Sequence, residues 1–318
     1  MYENVEELES KFRITEFPLN VIIEVGNHCN LNCTTCANNR LQRKRGYMDI
    51  ILYKKIIDEI AKINPYTRIW LDFYGEPLLV RYKLYYMIDY AKKKGLQSIN
   101  INTNGTLLDK EMAEMILDSG IDFISIDVDG FSKEVYEKIR IGAKRDVLYS
   151  NVENLLMRKK ELGLNKPIIE AKVMEMEENK HEIESIINYW RNKGAWTTVR
   201  RLISWAGKCD EIKNDFECDR IACGNALGIC AITWEGDIVN CVMDVDAEVI
   251  YGNVYNNSIQ SIWKERNEKM IVHQMNHEFY KLPSMCKNCT DWKIIGEKRY
   301  DENGNEVNKS YNENEKML

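Results

Sequence analysis

Several features are scarce or missing in this chain of 318 residues, and each one argues against a class of protein. No apolar run approaches the roughly 18 residues that a membrane helix needs, and the acidic N-terminal residues lack the basic and then apolar order of a signal peptide. Acidic residues outnumber basic ones, 50 against 44, unlike in a general nucleic-acid binder. Four histidines are too few for a histidine-rich zinc or non-haem iron site. The sequence therefore predicts a cytoplasmic globular protein with no membrane or nucleic-acid partner.

Cysteine, by contrast, is abundant and unevenly distributed. Three of the ten cysteines lie within residues 29–36, none lies within residues 37–208, and the other seven lie within residues 209–289. Because the cytosol keeps thiols reduced, we expect these cysteines to bind metal or to take part in catalysis rather than to form disulfides. Thiolate ligands suit iron–sulfur clusters or zinc.

The cysteine-free middle of the chain alternates between two sequence patterns. Apolar runs rich in β-branched residues predict strands, the stretches between them have helical spacing, and a glycine follows four of these helices as a C-terminal cap. Repeated strand–helix units predict parallel βαβ connections, and hence a partial (β/α)6 barrel or an open sheet over residues 19–203. The predicted strands are 19–25, 68–74, 98–102, 123–128, 168–174 and 197–203, the predicted helices are 48–63, 82–94, 110–118, 147–162 and 181–193, and the glycines are Gly95, Gly120, Gly163 and Gly194.

The first three cysteines lie in the loop after the first predicted strand, at the sheet edge where functional residues gather in such folds. Three residues separate Cys29 from Cys33 and two separate Cys33 from Cys36, so a short loop can bind three corners of a cubane iron–sulfur cluster. No fourth local ligand completes the site, which leaves one iron open to a substrate or cofactor. A zinc site completed by a distant ligand is the alternative.

Further motifs follow at the ends of the next three strands and just beyond them: Gly75-Glu76-Pro77, Asn102-Thr-Asn104-Gly105, Ser125-Ile-Asp127 and, after these, Arg140. Together with the cysteine spacing they resemble the radical S-adenosylmethionine (SAM) superfamily over residues 19 to about 204. The resemblance implies a [4Fe-4S] cluster on Cys29, Cys33 and Cys36 that chelates SAM. Thr35 departs from the family, which usually has an aromatic residue there beside the adenine. The residues that the resemblance assigns to SAM are Gly75, Glu76 and Pro77 for the amino group, Asn104, Ser125 and Asp127 at the following strand ends, and Arg140 for the carboxylate.

A second set of cysteines follows the barrel. The spacing of Cys223, Gly236 and Cys241, with the later pair Cys286 and Cys289, resembles the SPASM/twitch type of C-terminal extension, which carries auxiliary iron–sulfur clusters. A full extension has three further cysteines after the last pair and this chain has none, so the resemblance implies one auxiliary [4Fe-4S] cluster. A rubredoxin-like zinc or iron site is the alternative.

Three auxiliary ligands are predicted directly, and the fourth has two main candidates. The usual spacing of the extension nominates Cys223. Residues 227–234 and 237–243 predict a β-hairpin about the turn Glu235-Gly236, and in that register Cys230 pairs with Cys241 and shares its face. The directly predicted ligands are Cys241, Cys286 and Cys289, and looser candidates for the fourth are Cys209 and Cys218.

The size of the chain, the single auxiliary cluster and the extra cysteines between residues 209 and 230 resemble the radical SAM peptide epimerases of epipeptide antibiotic biosynthesis. That resemblance implies conversion of L- to D-residues in a ribosomally made peptide. A 5′-deoxyadenosyl radical would remove an α-hydrogen, and a thiol on the opposite face would return a hydrogen. It favours Cys223 as the donor, Cys230 as the fourth ligand and Asp210 as a residue that polarises the peptide backbone. A solvated acid is an equally good interpretation of Asp210.

Other activities are compatible with the same motifs. A related enzyme can crosslink a peptide through a thioether or carbon–carbon bond or oxidise an alcohol, with the auxiliary cluster as electron acceptor, and an iron–sulfur electron carrier is the non-enzymatic alternative. The expected partners are a precursor peptide, SAM and a low-potential reductant such as flavodoxin or ferredoxin. The predicted organisation is an N-terminal segment at 1–18, too short for a leader-binding domain, the barrel at 19–204, an auxiliary-cluster domain at 205–297 and a disordered tail at 298–318.

Overall fold

Six parallel strands and the helices between them form the centre of the molecule in this computed structural model, which describes residues 12–209, 219–293 and 299–307. The strands pair in the order β6-β5-β4-β3-β2-β1, which confirms the predicted partial (β/α)6 barrel. The elements are β1 (Asn20–Ile23), α1 (Ile50–Ile63), β2 (Arg68–Trp70), α2 (Arg81–Lys93), β3 (Ser98–Thr103), α3 (Lys110–Asp118), β4 (Phe123–Asp127), α4 (Lys133–Ile139), α5 (Arg145–Glu161), β5 (Ile168–Glu175), α6 (Ile183–Asn192) and β6 (Trp196–Arg201).

The helix boundaries follow from capping residues that the sequence supplies. Asp49 begins α1 by accepting a hydrogen bond from the amide of Ile51 at 2.7 Å, and Asp109 begins α3 by accepting from Met112 at 2.8 Å. The four glycines predicted as C-terminal caps all have positive φ, from 64° to 89°. Within the described ranges, no helix is both long and apolar enough to cross a lipid bilayer.

The two faces of the sheet differ in polarity. On β3, Ile99 and Ile101 are fully buried among the apolar residues that pack the helices onto the sheet, whereas Asn100 and Asn102 alternate with them and face the inside of the barrel. The inner face of the neighbouring strands is also polar and partly charged, so the barrel lumen differs from an ordinary apolar core. Its polar residues include Ser125, Asp127, Glu170, Lys172 and Thr198.

The cysteine-rich extension continues the barrel sheet. Strand β7 (Ile229–Ile232) pairs with β1 in parallel, and β8 (Asp237–Val239) and β9 (Ile250–Asn253) follow in antiparallel pairing. Because the extension shares this sheet, its position relative to the barrel is set by backbone hydrogen bonds. Its helices are α7 (Gly224–Gly228), α8 (Ile259–Arg266), which continues through a π-helical turn at Asn267–Ile271 into α9 (Val272–Met275), and α10 (Ser284–Asn288).

Part of the segment predicted to be a disordered tail is ordered. Strands β10 (Arg299–Tyr300) and β11 (Glu306–Val307) form a hairpin, and β10 pairs antiparallel with β6. The buried guanidinium of Arg299 forms an ion pair with Glu170 on the inner face of β5. This ion pair and the strand pairing with β6 attach a segment with few apolar residues to the barrel.

Candidate active site and auxiliary-cluster site

The loop after β1 brings together the first three cysteines. Burial, together with the nearby thiols of Cys33 and Cys29, raises the pKa of Cys36 to about 12. Backbone amides reach two of the sulfurs. The amide of Asn38 donates to the Sγ of Cys36 at 3.4 Å, and the amide of Leu31 lowers the pKa of Cys29, which burial raises. Amide donors of this kind favour the thiolate form that a cluster ligand must adopt.

Neighbouring loops hold this cysteine loop in place from two sides. The amides of Asn32 and Thr34 donate to the carbonyls of Ile141 and Ile139 at 2.9 and 3.0 Å. From the other side, the amide of Glu76 donates to the carbonyl of His28 at 2.9 Å. The loop is therefore preorganised by backbone contacts before any cluster binds.

Gly75 is required by the close approach of the loops after β1 and β2. A Cβ atom at this position would lie 2.1 Å from the carbonyl oxygen of Gly26 and 2.9 Å from that of His28. Both neighbours are backbone atoms, so no side-chain rotation can relieve the clash. The Gly75-Glu76-Pro77 motif thus packs directly on the cysteine loop, and Pro77 begins a short 3-10 turn.

The carboxylate of Glu76 accepts three hydrogen bonds from other groups of the protein. It accepts hydrogen bonds from the hydroxyl of Thr103 at 2.6 Å, the amide of Asn104 at 2.8 Å and the amide of Leu78 at 2.9 Å. Burial raises its pKa to about 7. The side chain of Asn104 in turn donates to Asn30 at 2.9 Å, which links the end of β3 to the cysteine loop.

Arg140 lies between the cysteine loop and the end of β4. Its guanidinium is buried, pairs with Asp127 at 3.2 Å and with Asp129, and approaches the Sγ of Cys33 to 3.6 Å. Ser125 lies deeper and donates its hydroxyl to Glu170 at 2.7 Å. The structure therefore brings Arg140 and Asp127 to the cysteine loop and places Ser125 further inside the barrel. The SAM contacts assigned to these residues and to the Gly75-Glu76-Pro77 motif stay predictions.

A hydrogen-bonded network that the sequence did not indicate crosses the barrel lumen. Asn102 donates to the Oδ2 of Asp72 at 2.7 Å, and Lys172 donates to the side-chain oxygen of Asn102 and to Asp127, each at 3.0 Å. The Oδ1 of Asp72 is buried and has no hydrogen-bond partner within the described chain. Burial raises the pKa of Asp72 to about 6. The available signals were charged residues inside predicted strands, namely Asp72, Asp127, Glu170 and Lys172.

The second cysteine site contains Cys223. Burial raises the pKa of Cys241, and the thiols of Cys286, Cys223 and Cys289 are near enough to raise it further. The amides of Met243 and Asp291 donate to the sulfurs of Cys241 and Cys289 at 3.4 and 3.3 Å. The sulfurs of the other two cysteines also have amide partners, from Ala226 and Asn225 for Cys223 and from the side chain of Asn240, at 3.0 Å, for Cys286.

Cys230 lies elsewhere, contrary to the predicted ligand set. It is fully buried in the apolar core, level with Val21 on β1, and its charged neighbours are Arg266 and Glu59 rather than the other thiols. The hairpin pairs Ala231 with Val239, one residue away from the predicted register. A shift of one residue turns a side chain to the opposite face of a strand. The assignment of Cys230 as fourth ligand therefore disagrees with its position, whereas the role of Cys223 as hydrogen donor is not decided by its place near the other thiols and stays a prediction.

The turn of this hairpin explains the shift. Thr233 and Asp237 close a three-residue loop through a hydrogen bond of 2.9 Å from the amide of Thr233, and Gly236 has φ of 92°. A three-residue loop that ends in a left-handed glycine gives a different register from the predicted two-residue turn. Two further candidates from the sequence, Asp210 and Cys218, lie outside the described residues. Cys209 is buried just after β6.

Aromatic side chains connect the two cysteine sites. The hydroxyl of Tyr74 donates to the carbonyl of Val242 at 2.7 Å, next to Cys241, and its ring lies 5.5 Å from that of Trp205. Trp205 donates from its indole nitrogen to the carbonyl of Thr35 at 2.9 Å, next to Cys36. A cavity of about 210 Å³ lies beside this contact and is lined by Trp205, Lys208, Met243, Met285 and Asn288, among others.

The donor sets at the two sites fit iron–sulfur clusters. Three thiols with hydrogen-bond donors lie near one another at the first site, and four do so at the second. A family model described as the radical SAM superfamily matches residues 23–189. The chain belongs to the radical SAM superfamily.

A second model, of the SPASM iron–sulfur cluster-binding domain, matches residues 223–290 of this radical SAM protein. The match begins at Cys223, which agrees with the geometry of the second site. The protein is therefore a radical SAM enzyme of the SPASM type, with a [4Fe-4S] cluster that binds SAM in the barrel and an auxiliary cluster site in the extension.

Two curated proteins resemble this radical SAM enzyme over most of their length. The tungsten-containing aldehyde ferredoxin oxidoreductase cofactor-modifying protein of Pyrococcus furiosus is 25% identical, over 84% of this chain and 86% of that protein. The S-adenosyl-L-methionine-dependent 2-deoxy-scyllo-inosamine dehydrogenase of Niallia circulans is 23% identical, over 88% and 95%.

Solved structures with the same fold include BtrN in complex with AdoMet and 2-DOIA, with a TM-score of 0.61 and 19% identity over 87% of this chain and 94% of that one. Streptococcus suis SuiB bound to the precursor peptide SuiA has a TM-score of 0.64 and 15% identity over 92% and 73%. At these identities the likeness is one of fold.

Proposed function

We propose that this radical SAM enzyme oxidises its substrate by two electrons, acting on a molecule in which an O–H or N–H group adjoins the reacting carbon. The observation that carries the proposal is the grouping of Cys223 with Cys241, Cys286 and Cys289. Four thiolates complete the coordination of a cluster, and a closed site suits electron transfer rather than substrate binding. Cys223 is then no longer available to return a hydrogen, which the predicted epimerisation requires.

When bound, SAM and its cluster supply the acceptor of a hydrogen atom from the substrate carbon, and the auxiliary cluster supplies an acceptor for the second electron. The remaining proton must go to the protein. Asp72 is suited to accept it because it lies on the lumen face, hydrogen-bonded to Asn102, and burial brings its pKa to about 6, close to neutral. The substrate thus loses one hydrogen atom, one electron and one proton, and a double bond or a crosslink forms.

The lumen network supports a polar substrate. Lys172 joins Asn102 to Asp127, so that a line of hydrogen-bonding groups runs from Asp72 towards Arg140 and the cysteine loop. The dehydrogenase from Niallia circulans among the curated relatives supports oxidation as the reaction class. We propose that the starting electron comes from a low-potential reductant of the flavodoxin or ferredoxin class in the cytoplasm.

Epimerisation of a peptide, the activity predicted from the sequence, is the competing function, and product mass separates the two. The reconstituted enzyme would be given 2-deoxy-scyllo-inosamine and the SuiA peptide as probes, in heavy water with SAM and dithionite. A product two hydrogens lighter, formed in proportion to 5′-deoxyadenosine, is the expected result. A product that differs from its probe only by one incorporated deuteron would contradict oxidation and support epimerisation.

A further inference from the structure

Arg266 is a buried cation for which the described residues offer no carboxylate partner. It is the last residue of α8, and its side chain is fully buried. The Cζ atom of its guanidinium lies 4.7 Å from the centre of the Trp263 ring. Its Nε and Nη2 donate to the carbonyl of Asn240 at 3.1 and 2.7 Å, and Nη2 also donates to that of Ala226 at 2.7 Å. The Nη1 group has no hydrogen-bond partner in the described part of the chain.

A buried guanidinium without an anion is costly, because neutral carbonyls replace only part of its hydration. Burial accordingly lowers the pKa of Arg266 from its ordinary value. The groups close enough to counter this are Cys230, Tyr251, Cys241 and Cys286, of which two are cysteines of the second site. A cluster bound by Cys241 and Cys286 would therefore place negative charge near Arg266.

Asn240 connects Arg266 to the thiols. It precedes Cys241 in the chain, it is fully buried, and its backbone carbonyl accepts both hydrogen bonds described above. Its side-chain amide donates to the Sγ of Cys286 at 3.0 Å, and its side-chain oxygen accepts from the hydroxyl of Tyr251 at 3.2 Å. Arg266 is therefore joined to the sulfur of Cys286 through Asn240, which is also the chain neighbour of Cys241.

We propose that Arg266 is the counter-charge of the auxiliary cluster and that it raises the reduction potential of that cluster. Four thiolates give a [4Fe-4S] cluster a net negative charge, and one more negative charge arrives on reduction. A fixed cation in a water-poor site stabilises the reduced form more than the oxidised form. Only the link to substrate oxidation rests on the proposed function, whereas the charge pairing rests on the ligand set alone.

The test compares Arg266→Gln with Arg266→Lys in an otherwise intact chain that carries Cys33→Ala, so that the auxiliary cluster dominates the spectrum. Its midpoint potential is measured by redox titration with electron paramagnetic resonance. We expect Arg266→Gln to shift the potential downwards and Arg266→Lys to retain most of the original value. An unchanged potential in Arg266→Gln would overturn the proposal, and neither result depends on finding the substrate.

Arg220 provides a matched control, because it is a second arginine near these thiols but is more exposed to solvent than Arg266. It donates to the carbonyls of Cys286 and Lys287 at 2.8 and 3.2 Å, and its charge lowers the pKa of Cys286 and of Cys223. Its side chain is partly exposed, so solvent screens the charge more than at Arg266. Arg220→Gln should shift the potential less than Arg266→Gln does. An equal or larger shift at Arg220 would contradict the special role of the buried cation.

A second measurement covers the case in which Arg266→Gln binds less iron. Thermal unfolding is followed with the cluster present and after its removal by a chelator, for the natural chain and the variant. If Arg266 balances the cluster, the variant loses more stability in the loaded form than in the cluster-free form. Equal losses in both forms would mean that Arg266 only fills space and bonds carbonyls, and would overturn the proposal.

Discussion

At five cysteines of the two sites, the sulfur interacts with the backbone amide of the residue two positions later in the chain. Cys36, Cys241 and Cys289 accept such bonds at 3.3 to 3.4 Å, and the corresponding amides lower the pKa of Cys29 and Cys223. The causes that set the pKa of Cys230 include no such amide. Cys33 and Cys286 also lack such an amide and accept from the side chains of Arg140 and Asn240 instead, so Cys230 is the cysteine among these candidates whose sulfur has no donor among the causes that set its pKa.

Cys33→Ala should abolish SAM cleavage, because the first site then offers two thiols where three are needed to hold the SAM-binding cluster. The measurement is 5′-deoxyadenosine formed from SAM and dithionite under anaerobic conditions. Cys230→Ala serves as the control and should retain cleavage. Undiminished cleavage by Cys33→Ala would contradict the assignment of the barrel site.

Asp72→Asn should lower turnover by about 100-fold or more while SAM still binds, because the substrate proton loses its acceptor. In the natural chain, Asp72 is protonated below its pKa of about 6, so turnover should rise with pH through that value. Lys172 and Asp127 are the charged groups that influence this pKa. The measurements are the rate against pH and SAM binding by calorimetry.

The exposed Asp118→Asn on α3 is the control for Asp72→Asn, and its rate and pH profile should stay unchanged. If the turnover of Asp72→Asn still rose with pH near 6, another group would be responsible for that pH dependence. Because burial disfavours the charged form of Asp72, Asp72→Asn should also unfold at a higher temperature above pH 6. Lower activity together with higher stability is typical of a functional residue.

At the scale of elements, alternating strands and helices could be predicted because the hydrophobic period of each segment is strong. The six barrel strands and the glycine caps follow from local sequence in this way. The hairpin of β7 and β8 was placed correctly but one residue out of register, since its loop holds three residues and ends at Gly236. That small shift decides which way Cys230 faces, so a fold can be predicted where a ligand set cannot.

Gly75→Ala should prevent the loops after β1 and β2 from closing, because the added Cβ would lie 2.1 Å from the Gly26 carbonyl. We expect loss of the SAM-binding cluster, measured as iron content and SAM cleavage. Gly163→Ala is the matched control, since its added Cβ would have no neighbour within 4 Å. The substitution is unfavourable only because the backbone has a positive φ there. It should cost about 1 kcal/mol and retain the cluster. Equal behaviour of the two variants would contradict this account.

At the scale of the whole molecule, one sheet carries both cysteine sites. Strand β7 adds to β1, and Tyr74 and Trp205 bridge the loops that hold Cys36 and Cys241. The sequence predicted both parts from their motifs but not this bridge, which joins residues far apart in the chain. The polar lumen was also not predicted, because its residues come from strands that are far apart in the chain.

The central claim is that Cys223, and not Cys230, completes the auxiliary site. The most direct test is the iron content and electron paramagnetic resonance spectrum of Cys223→Ala and Cys230→Ala after identical anaerobic reconstitution. Two [4Fe-4S] clusters correspond to about eight iron atoms per chain. We expect Cys230→Ala to retain both clusters and Cys223→Ala to lose or destabilise one while still cleaving SAM. Full iron in Cys223→Ala, with loss of a cluster in Cys230→Ala, would contradict the account.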